Sequence, residues 1–267
     1  MFSSISNQNK AYLLAVIAIF FWATSATAFK FSLNHLEPIQ LVFYWTFFSV
    51  LVLFLIIFFQ GKISLIKDFS KKAILKCSLL GLLNPCLYYI ILLKGYDILP
   101  AQEAMAINYS WVVMIVILSI PILKQSIDVK SFLSIIISYI GVIVIATKGD
   151  VFSLQFDNPL GVSYILITTI IWALFWLFNT KNSNDATVSL FLIFLFSLPY
   201  ILLIIYFSNS FIIPSLTGFI SSAYIGFFEM GITAALWQSA LKTSKSVSRV
   251  ASLVFLTPFL ALVILKV

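Results

Sequence analysis

The sequence predicts an all-α, polytopic membrane protein with nine transmembrane helices. Apolar residues make up 62% of the 267-residue chain and charged residues 9%, against about 45–50% and about 25% in soluble domains. The apolar residues form runs of roughly 20, the length at which a helix crosses a bilayer core. Short polar breaks separate these runs, and most of the lysine and arginine lies in alternate breaks, which is typical of membrane topology.

Taken in order, the apolar runs predict one helix each. The first run follows Lys10 and is too long for the core of a cleaved signal peptide, so we expect it to stay in the mature protein. The predicted helices span residues 11–33, 36–59, 73–95, 99–122, 129–147, 159–180, 187–207, 216–242 and 247–266.

The positive charges predict the orientation of these helices. One side of the membrane holds Lys10, Lys62, Lys67, Lys71, Lys72, Lys76, Lys124, Lys130, Lys181, Lys242, Lys245 and Arg249, and the other holds Lys30, Lys94, Lys148 and Lys266. Because basic loops stay in the cytoplasm, we expect a multi-pass protein of the cytoplasmic (inner) membrane with a cytoplasmic N-terminus. The same bias explains the net charge of +7 without a nucleic-acid partner.

An internal repeat underlies the helices. A shift of 145 residues places Gly81 on Gly226 and Asn84 on Glu229, and similar shifts bring the first helix onto the sixth and the fourth onto the ninth. An odd number of helices in each unit inserts the two copies in opposite orientations, the plan of many secondary transporters. Chance alignment of hydrophobic helices is the alternative.

The repeat divides the chain into residues 1–150 and residues 158–267. The first unit has five predicted helices, and the second has four, because the fifth has no counterpart before Val267. The second unit is therefore expected to be incomplete: either the sequence is a truncated product, or nine helices suffice.

Four segments give the chain a family resemblance. They are FFWATSATAFKFSL in the first helix, LPAQEAMAINYSW entering the fourth, SYIGVIVIATKG in the fifth, and ALKTSKSVSRVASLVFLTPFLAL across the eighth and ninth. With these segments the chain resembles the EamA-like, ten-helix branch of the drug/metabolite transporter superfamily. The resemblance implies a transporter of small metabolites, often an exporter of amino acids or related compounds, that does not hydrolyse ATP.

The first candidate functional residue is Glu229. It is the one charged residue between Asp185 and Lys242, and it falls near the middle of the eighth predicted helix. An ionised side chain there costs about 2.5–3.5 kcal/mol on insertion scales, so such residues usually face a cavity, a partner or a proton. Desolvation favours the neutral form of a carboxyl group, which makes Glu229 a candidate for proton coupling or for binding a substrate ammonium group.

Two further candidates lie near Glu229 or match it across the repeat. Thr233 follows Glu229 by one helical turn and shares its face. Asn84 is the repeat counterpart of Glu229. It precedes Pro85, and this proline predicts a kink in the third helix. Freed backbone groups at this depth are tolerated beside a cavity, so Asn84 is a candidate for the pathway, and a plain helix kink is the alternative. For Thr233 the alternative is close helix packing.

Polar and aromatic side chains on two other helices complete the candidate set. The fourth helix carries Asn108, Tyr109 and Trp111, and we expect Asn108 to point inward because lipid disfavours an amide. The sixth carries Trp172 and Trp176 one turn apart. Trp172 is too deep for the interfacial aromatic belt, so the pair either lines a binding site or packs between helices.

Few residues suit catalysis or metal binding. His35 is the single histidine, and Cys77 and Cys86 lie nine residues apart in one predicted helix, where they suit packing rather than a disulfide. No glycine-rich phosphate loop is present. The sequence therefore predicts no catalytic residue, metal or cofactor.

These observations favour a secondary transporter that moves a small organic metabolite by alternating access, with protons as one option for the coupling ion. Its expected partners are the substrate and the lipid bilayer, and it is expected to be a monomer or a homodimer. Two alternatives stay open: a membrane-embedded enzyme acting on lipid-linked substrates, which usually needs paired carboxylates or a histidine, and a transport-incompetent truncated relative.

Overall fold

The computed structural model describes residues 6–210 and 213–265, without the side chains of residues 25–27, 30, 101, 102, 262, 264 and 265. Over these residues the chain forms helices and no strands. Apart from two short 3₁₀ segments in loops, Ile63–Ile66 and Val151–Ser153, the described helical segments join into nine rods, which we number α1 to α9. Their bounds are Asn7–Leu33 (α1), Pro38–Phe59 (α2), Lys71–Ile98 (α3), 101–123 (α4), Val129–Ala146 (α5), Pro159–Thr180 (α6), Ala186–Ser208 (α7), Leu216–Thr243 (α8) and 247–265 (α9).

The prediction of an all-α, polytopic membrane protein is confirmed. Over the described residues, α2 to α8 are each long and apolar enough to cross a membrane, and α9 contains a shorter apolar helix, Val247–Ala261. The α1 helix is 27 residues long. Each rod lies within a few residues of its predicted bounds, and the predicted end of the ninth helix at residue 266 lies outside the described residues.

Four of the rods depart from α-helical geometry near their middle. The α3 rod contains a π-helical segment, Leu82–Leu87, and α8 contains another, Ile225–Ile232. A turn at residues 109 and 110 interrupts α4, and a 3₁₀ segment, Leu253–Leu256, interrupts α9. Irregular backbone at this depth is tolerated where it is buried in protein or borders a cavity.

The kink predicted in the third helix is confirmed. Asn84, which precedes Pro85, has an extended backbone (φ −147°, ψ 127°) inside α3. Proline cannot donate a backbone hydrogen bond, and its ring crowds the preceding residue out of the helical region. The backbone therefore leaves the helix at Asn84, 145 residues before Glu229.

The main contacts between the rods stay the same when the first four rods are exchanged with the last four. The α1 rod packs on α8 and α9, whereas α6 packs on α3 and α4. Likewise α2 packs on α8, α7 packs on α3, and α2 packs on α7. Exchanging rods 1 to 4 with rods 6 to 9 reproduces these contacts. The pattern supports two units of like structure, and the division at residues 1–150 and 158–267 stays a prediction.

Two glycines allow the closest of these contacts. A Cβ on Gly226 would lie 2.5 Å from the carbonyl oxygen of Trp45 on α2, and a Cβ on Gly81 would meet the carbonyl oxygen of Ile193 on α7. The hydroxyl of Ser49 also donates to the carbonyl oxygen of Gly226 at 2.9 Å. Small residues let membrane helices approach closely, and here they join α8 to α2 and α3 to α7.

Candidate functional site

The main candidate site is a cavity of about 520 Å³ enclosed by α1, α2, α3, α4, α6, α8 and α9. Its volume lies in the range of small-molecule sites. Nine of its lining residues are aromatic, and both predicted units contribute to its wall. The rings belong to Trp22, Phe29, Trp45, Tyr88, Tyr89, Tyr96, Tyr109, Trp111 and Trp172.

The cavity lies where the rods depart from α-helical geometry. Tyr88 and Tyr89 directly follow the π-helical segment of α3, and Tyr109 lies in the turn that interrupts α4. Met230 belongs to the π-helical segment of α8, and Val254 belongs to the 3₁₀ segment of α9. Three of the interruptions therefore place a side chain on the cavity wall, and two lining side chains directly follow the fourth.

The cavity opens at the end of the molecule where α1 ends and α2 begins. Leu33 and Pro38 line the cavity there, as does Tyr96 near the end of α3, and all three side chains are exposed. At the deep end, Trp111 and Trp172 are at least nine-tenths buried. The lining residue Trp22 packs against the fully buried Trp237, with ring centroids 5.2 Å apart.

Polar contacts join the loops at the opposite end. Lys62, after α2, forms a salt bridge of 2.9 Å with Asp185, before α7. The ammonium group of Lys242 donates to the carbonyl oxygen of Asn184. The side chain of Gln8 accepts the backbone N–H of Lys245 at 2.9 Å. These contacts hold the loops together at the end that the charge distribution predicts to be cytoplasmic.

Three buried polar atoms on the cavity-lining residues lack a hydrogen-bond partner within the described part of the chain. They are the Asn108 side-chain oxygen, the Trp172 indole nitrogen and the Thr257 hydroxyl. Asn108 also lies beside the hydroxyl of Tyr88. Buried polar groups are normally paired, so a ligand with its own donor and acceptor would satisfy atoms that the described protein leaves free.

Glu229 lies one layer behind the cavity wall. Its side chain is fully buried, and it is absent from the lining residues, whereas the next residue, Met230, is one of them. The hydroxyl of Tyr89, another lining residue, donates to the sulfur of Met230 at 3.3 Å. Glu229 is therefore separated from the cavity by its neighbour in the chain, Met230, which lines the wall together with Tyr89.

Thr24 on α1 is the hydrogen-bond partner of Glu229. The Thr24 hydroxyl lies 2.9 Å from Oε1 of Glu229 and 2.7 Å from the carbonyl oxygen of Phe21. Within the described part of the chain, Oε2 of Glu229 has no partner. A hydroxyl carries one proton, so it can donate to only one of these two oxygens.

The direction of the Thr24–Glu229 bond therefore depends on the protonation of Glu229. An ionised carboxylate accepts the proton of Thr24, which then cannot bond Phe21. A protonated carboxyl group can donate to Thr24 instead, which leaves the bond to Phe21 in place. The site thus has two hydrogen-bond arrangements that differ by one proton. The bond between Thr24 on α1 and Glu229 on α8 is present in both but reverses its direction, and the bond from Thr24 to Phe21 is present in only one.

The structure brings together half of the predicted site residues. Four of them line the cavity: Asn108, Tyr109, Trp111 and Trp172. The other four are buried outside its lining: Glu229, Asn84, Trp176 and Thr233. The Thr233 hydroxyl donates to the carbonyl oxygen of Phe228 at 2.5 Å, so it supports the π-helical segment of α8. The functional roles of all eight residues stay predictions.

The sequence interpretation missed several residues of the site. Tyr88 and Tyr89 follow the Asn84–Pro85 step by one turn, so the kink was a signal that could have found them. Trp45 lies on the uniformly apolar α2 helix, where no pattern separates the face towards the cavity from the others. Thr24 lies in the FFWATSATAFKFSL segment, where no pattern separates it from the neighbouring small residues.

Among the described residues, no group of three His, Cys, Asp or Glu side chains could hold a metal ion. Cys77 and Cys86 are free and buried, which confirms the prediction that they pack within the protein.

Three comparisons relate the chain to known proteins. The profile of the EamA-like transporter family matches residues 9–147. A protein of Archaeoglobus fulgidus named "Uncharacterized transporter" is 25% identical over 170 residues, which cover 64% of this chain and 57% of that relative. A solved structure described as "Crystal structure of protein" superposes with a TM-score of 0.81 at 17% identity, over 97% of this chain and 88% of the other, and it supports the fold alone.

Proposed function

The chain belongs to the EamA-like transporter family, and from this premise we propose that it is a secondary transporter that moves a small organic metabolite across the cytoplasmic membrane by alternating access. The observation that carries the proposal is the cavity of about 520 Å³. It lies between the two predicted units, is open at one end and is closed at the other by the contacts of Lys62, Asp185 and Lys242.

Alternating access requires a second state in which the open end closes and the closed end opens. Rocking one unit against the other around a fixed site is the usual motion in transporters with inverted repeats. The interruptions of α3, α4, α8 and α9 border the cavity, where irregular backbone has fewer α-helical hydrogen bonds to break. In this proposal they are the positions at which the rods bend.

The cavity wall suggests the chemistry of the substrate. Trp and Tyr rings offer flat faces for stacking and for cations. The free atoms of Asn108, Trp172 and Thr257 offer hydrogen bonds to a donor and an acceptor. A small organic molecule with an apolar body and one polar end, such as an amino acid or a related compound, fits this wall.

Glu229 is the proposed coupling residue. Its protonation would set the direction of its hydrogen bond to Thr24, which joins α8 to α1 in the buried interior. In the proposed cycle, Glu229 takes up a proton in one state and releases it in the other. The energy of the proton gradient would thereby act on the state of the cavity.

The proposal is tested first by ligand binding. The purified protein is unfolded thermally in detergent with a panel of amino acids, polyamines, nucleosides and amphipathic amines. A ligand at 100 times its dissociation constant stabilises the folded state by about 2.7 kcal/mol. A hit that Trp172→Leu abolishes and the exposed α5 control Phe132→Leu retains would place the ligand in the cavity.

Transport is measured next, with the hit enclosed in or added to proteoliposomes that carry the protein. Accumulation that follows an imposed proton gradient supports the full proposal. Equal fluxes with and without the protein, for a ligand that binds, would show that the chain does not transport it and would overturn the proposed function.

A further inference from the structure

A second cavity, of about 350 Å³, differs in character from the first. It lies between the start of α5 and the start of α9, at the end of the molecule that holds the Lys62–Asp185 salt bridge. Four hydroxyl groups and two cations line it: Ser131, Ser134, Ser248, Ser252, Lys130 and Arg249. Such a polar surface is unusual in a chain with a mean hydropathy of +1.11.

The charges in this cavity favour an anion. The one carboxylate in it, Asp128, accepts the backbone N–H of Ser131 at 2.8 Å and its hydroxyl at 2.7 Å. These bonds hold the pKa of Asp128 below its ordinary value of 3.8, so the group stays ionised as the cap of α5. Arg249 lies near enough to interact with it electrostatically. Lys130 and Arg249 are both exposed and form no salt bridge within the described part of the chain.

The hydroxyl groups add adaptable partners. Ser134 donates to the carbonyl oxygen of Lys130 at 2.8 Å, and Ser252 donates to that of Arg249 at 3.0 Å. Each hydroxyl can rotate about χ1 and give its proton to a ligand oxygen instead. Two cations with nearby hydroxyl donors are the chemistry that recognises a phosphate group.

The position of the cavity favours a phosphate that belongs to a lipid. The α5 helix is the least buried of the candidate spans, and Phe132, Leu133 and Ile137 on it are exposed. The cavity is polar at the start of α5, and these exposed apolar side chains lie beside it on the same helix. A ligand with a charged head and an apolar tail matches this change from polar to apolar surface.

We propose that the cavity between α5 and α9 binds the phosphate of an anionic phospholipid headgroup, with Lys130 and Arg249 as its charge partners. The predicted orientation places it on the cytoplasmic side, where anionic lipids attract basic residues. The site is separate from the aromatic cavity, and the proposal does not depend on what that cavity transports.

The test compares lipids and variants by thermal unfolding in detergent. Phosphatidylglycerol, phosphatidylcholine with the same acyl chains, and inorganic phosphate are each added to the wild type, to Lys130→Gln/Arg249→Gln, and to Lys71→Gln/Lys72→Gln. The last variant removes two exposed charges at the same end of the molecule and is the matched control.

We expect phosphatidylglycerol to raise the unfolding midpoint of the wild type and of the control. In Lys130→Gln/Arg249→Gln the apparent affinity for phosphatidylglycerol should be weaker than in the wild type by roughly tenfold or more. The other two additives should have little effect. An equal loss in both double variants, an unchanged response in Lys130→Gln/Arg249→Gln, or an equal response to inorganic phosphate would overturn the proposal.

A variant of unchanged charge gives a second test. Ser134→Leu fills the cavity, so we expect it to reduce the response to phosphatidylglycerol while Lys130 and Arg249 remain. A full response in Ser134→Leu would show that the lipid is attracted by surface charge alone, and the proposed site would then be wrong.

Discussion

The hydroxyl of Thr24 on α1 lies 2.9 Å from the buried carboxyl group of Glu229 on α8. This bond joins two rods that also form part of the wall of the aromatic cavity, through Trp22 and Met230. Because Thr24 can donate to Glu229 or to the carbonyl oxygen of Phe21 but not to both, the bond responds to a single proton. The relationship gives the proposed coupling a physical basis.

Thr24→Val tests this bond directly. The substitution keeps the shape of the side chain but leaves Oε1 of Glu229 without its donor, so we expect the folded state to lose about 1–3 kcal/mol. Thr24→Ser keeps a hydroxyl and should lose less. The free energy of unfolding in detergent measures both. If Thr24→Val were as stable as Thr24→Ser, the bond would contribute nothing to the fold.

Glu229→Gln tests the proposed proton coupling. Glutamine fits the same space but cannot take up or release a proton, so we expect transport to lose its dependence on an imposed pH gradient. Typical coupling free energies correspond to a loss between about 5-fold and 150-fold. Uptake into proteoliposomes at several pH values measures it.

The matched control is Asp97→Asn, which neutralises an exposed carboxylate at the end of α3 and should transport normally. Wild-type rates with an unchanged pH profile in Glu229→Gln would assign the coupling to another group.

Gly226→Ala tests the close contact of α8 with α2. The new methyl group would lie 2.5 Å from the Trp45 carbonyl oxygen, and relief of such overpacking costs about 1–3 kcal/mol. Gly81→Ala should lose a similar amount of stability, because its new methyl group would meet the Ile193 carbonyl oxygen on α7. Gly141→Ala on α5 is the control, because its new Cβ would have no atom within 4 Å apart from its chain neighbours and the backbone of its own helix. Alanine there should stabilise the helix by about 0.5–1 kcal/mol.

Denaturant titration in detergent compares the three glycine variants. Equal stability of Gly226→Ala and Gly141→Ala would show that α8 can move away from α2 without loss, and that the contact does not hold the rods together.

The fold could be predicted from the sequence because a bilayer imposes simple rules. A spanning helix needs a long apolar run, and its loops must be polar, so the bounds of the nine rods were readable within a few residues. The kink at Asn84 was also readable, because Pro85 has a mechanical effect on the backbone. The π-helical segment of α8 was not, because Ile225–Ile232 contains no proline and its apolar residues suit an α-helix equally well.

The cavity could be predicted only in part. Asn108 and Trp172 stood out because an amide and a deep indole are unusual in lipid. Trp45 and Tyr89 were missed because α2 and α3 are apolar on most faces, so periodicity does not show which face meets the cavity. Thr24 was missed because threonine in a membrane helix commonly bonds a carbonyl of its own helix, as Thr24 also does with Phe21.

The Lys62–Asp185 salt bridge should make the closed end sensitive to acid. Burial raises the pKa of Asp185, but the hydrogen bond and charge of Lys62 and the N–H groups of Val188 and Thr187 outweigh it, so the pKa lies below the ordinary value of 3.8. The pair therefore stabilises the folded protein fully above that value. Its contribution is lost as the pH falls through the lower pKa of the folded state.

Asp185→Asn separates the salt bridge from the other role of this side chain. Oδ1 of Asp185 caps α7 by accepting the N–H groups of Thr187 at 2.9 Å and Val188 at 3.1 Å. Asparagine keeps this cap and loses the charge, so we expect it to lose roughly 0–1 kcal/mol, as is usual for partly exposed pairs. Asp185→Ala also loses the cap, worth about 0.5–2 kcal/mol more.

The two Asp185 variants are compared by unfolding between pH 3 and pH 7, a range chosen to span the ordinary pKa of an aspartate. In Asp185→Asn the stability should fall less steeply with acid than in the wild type, because no carboxylate remains to be protonated at this position. If the stability of Asp185→Asn and of the wild type fell equally steeply with acid, Lys62 would give Asp185 no stabilisation. The closed end would then depend on the remaining contacts, those of Lys242 with Asn184 and of Gln8 with Lys245.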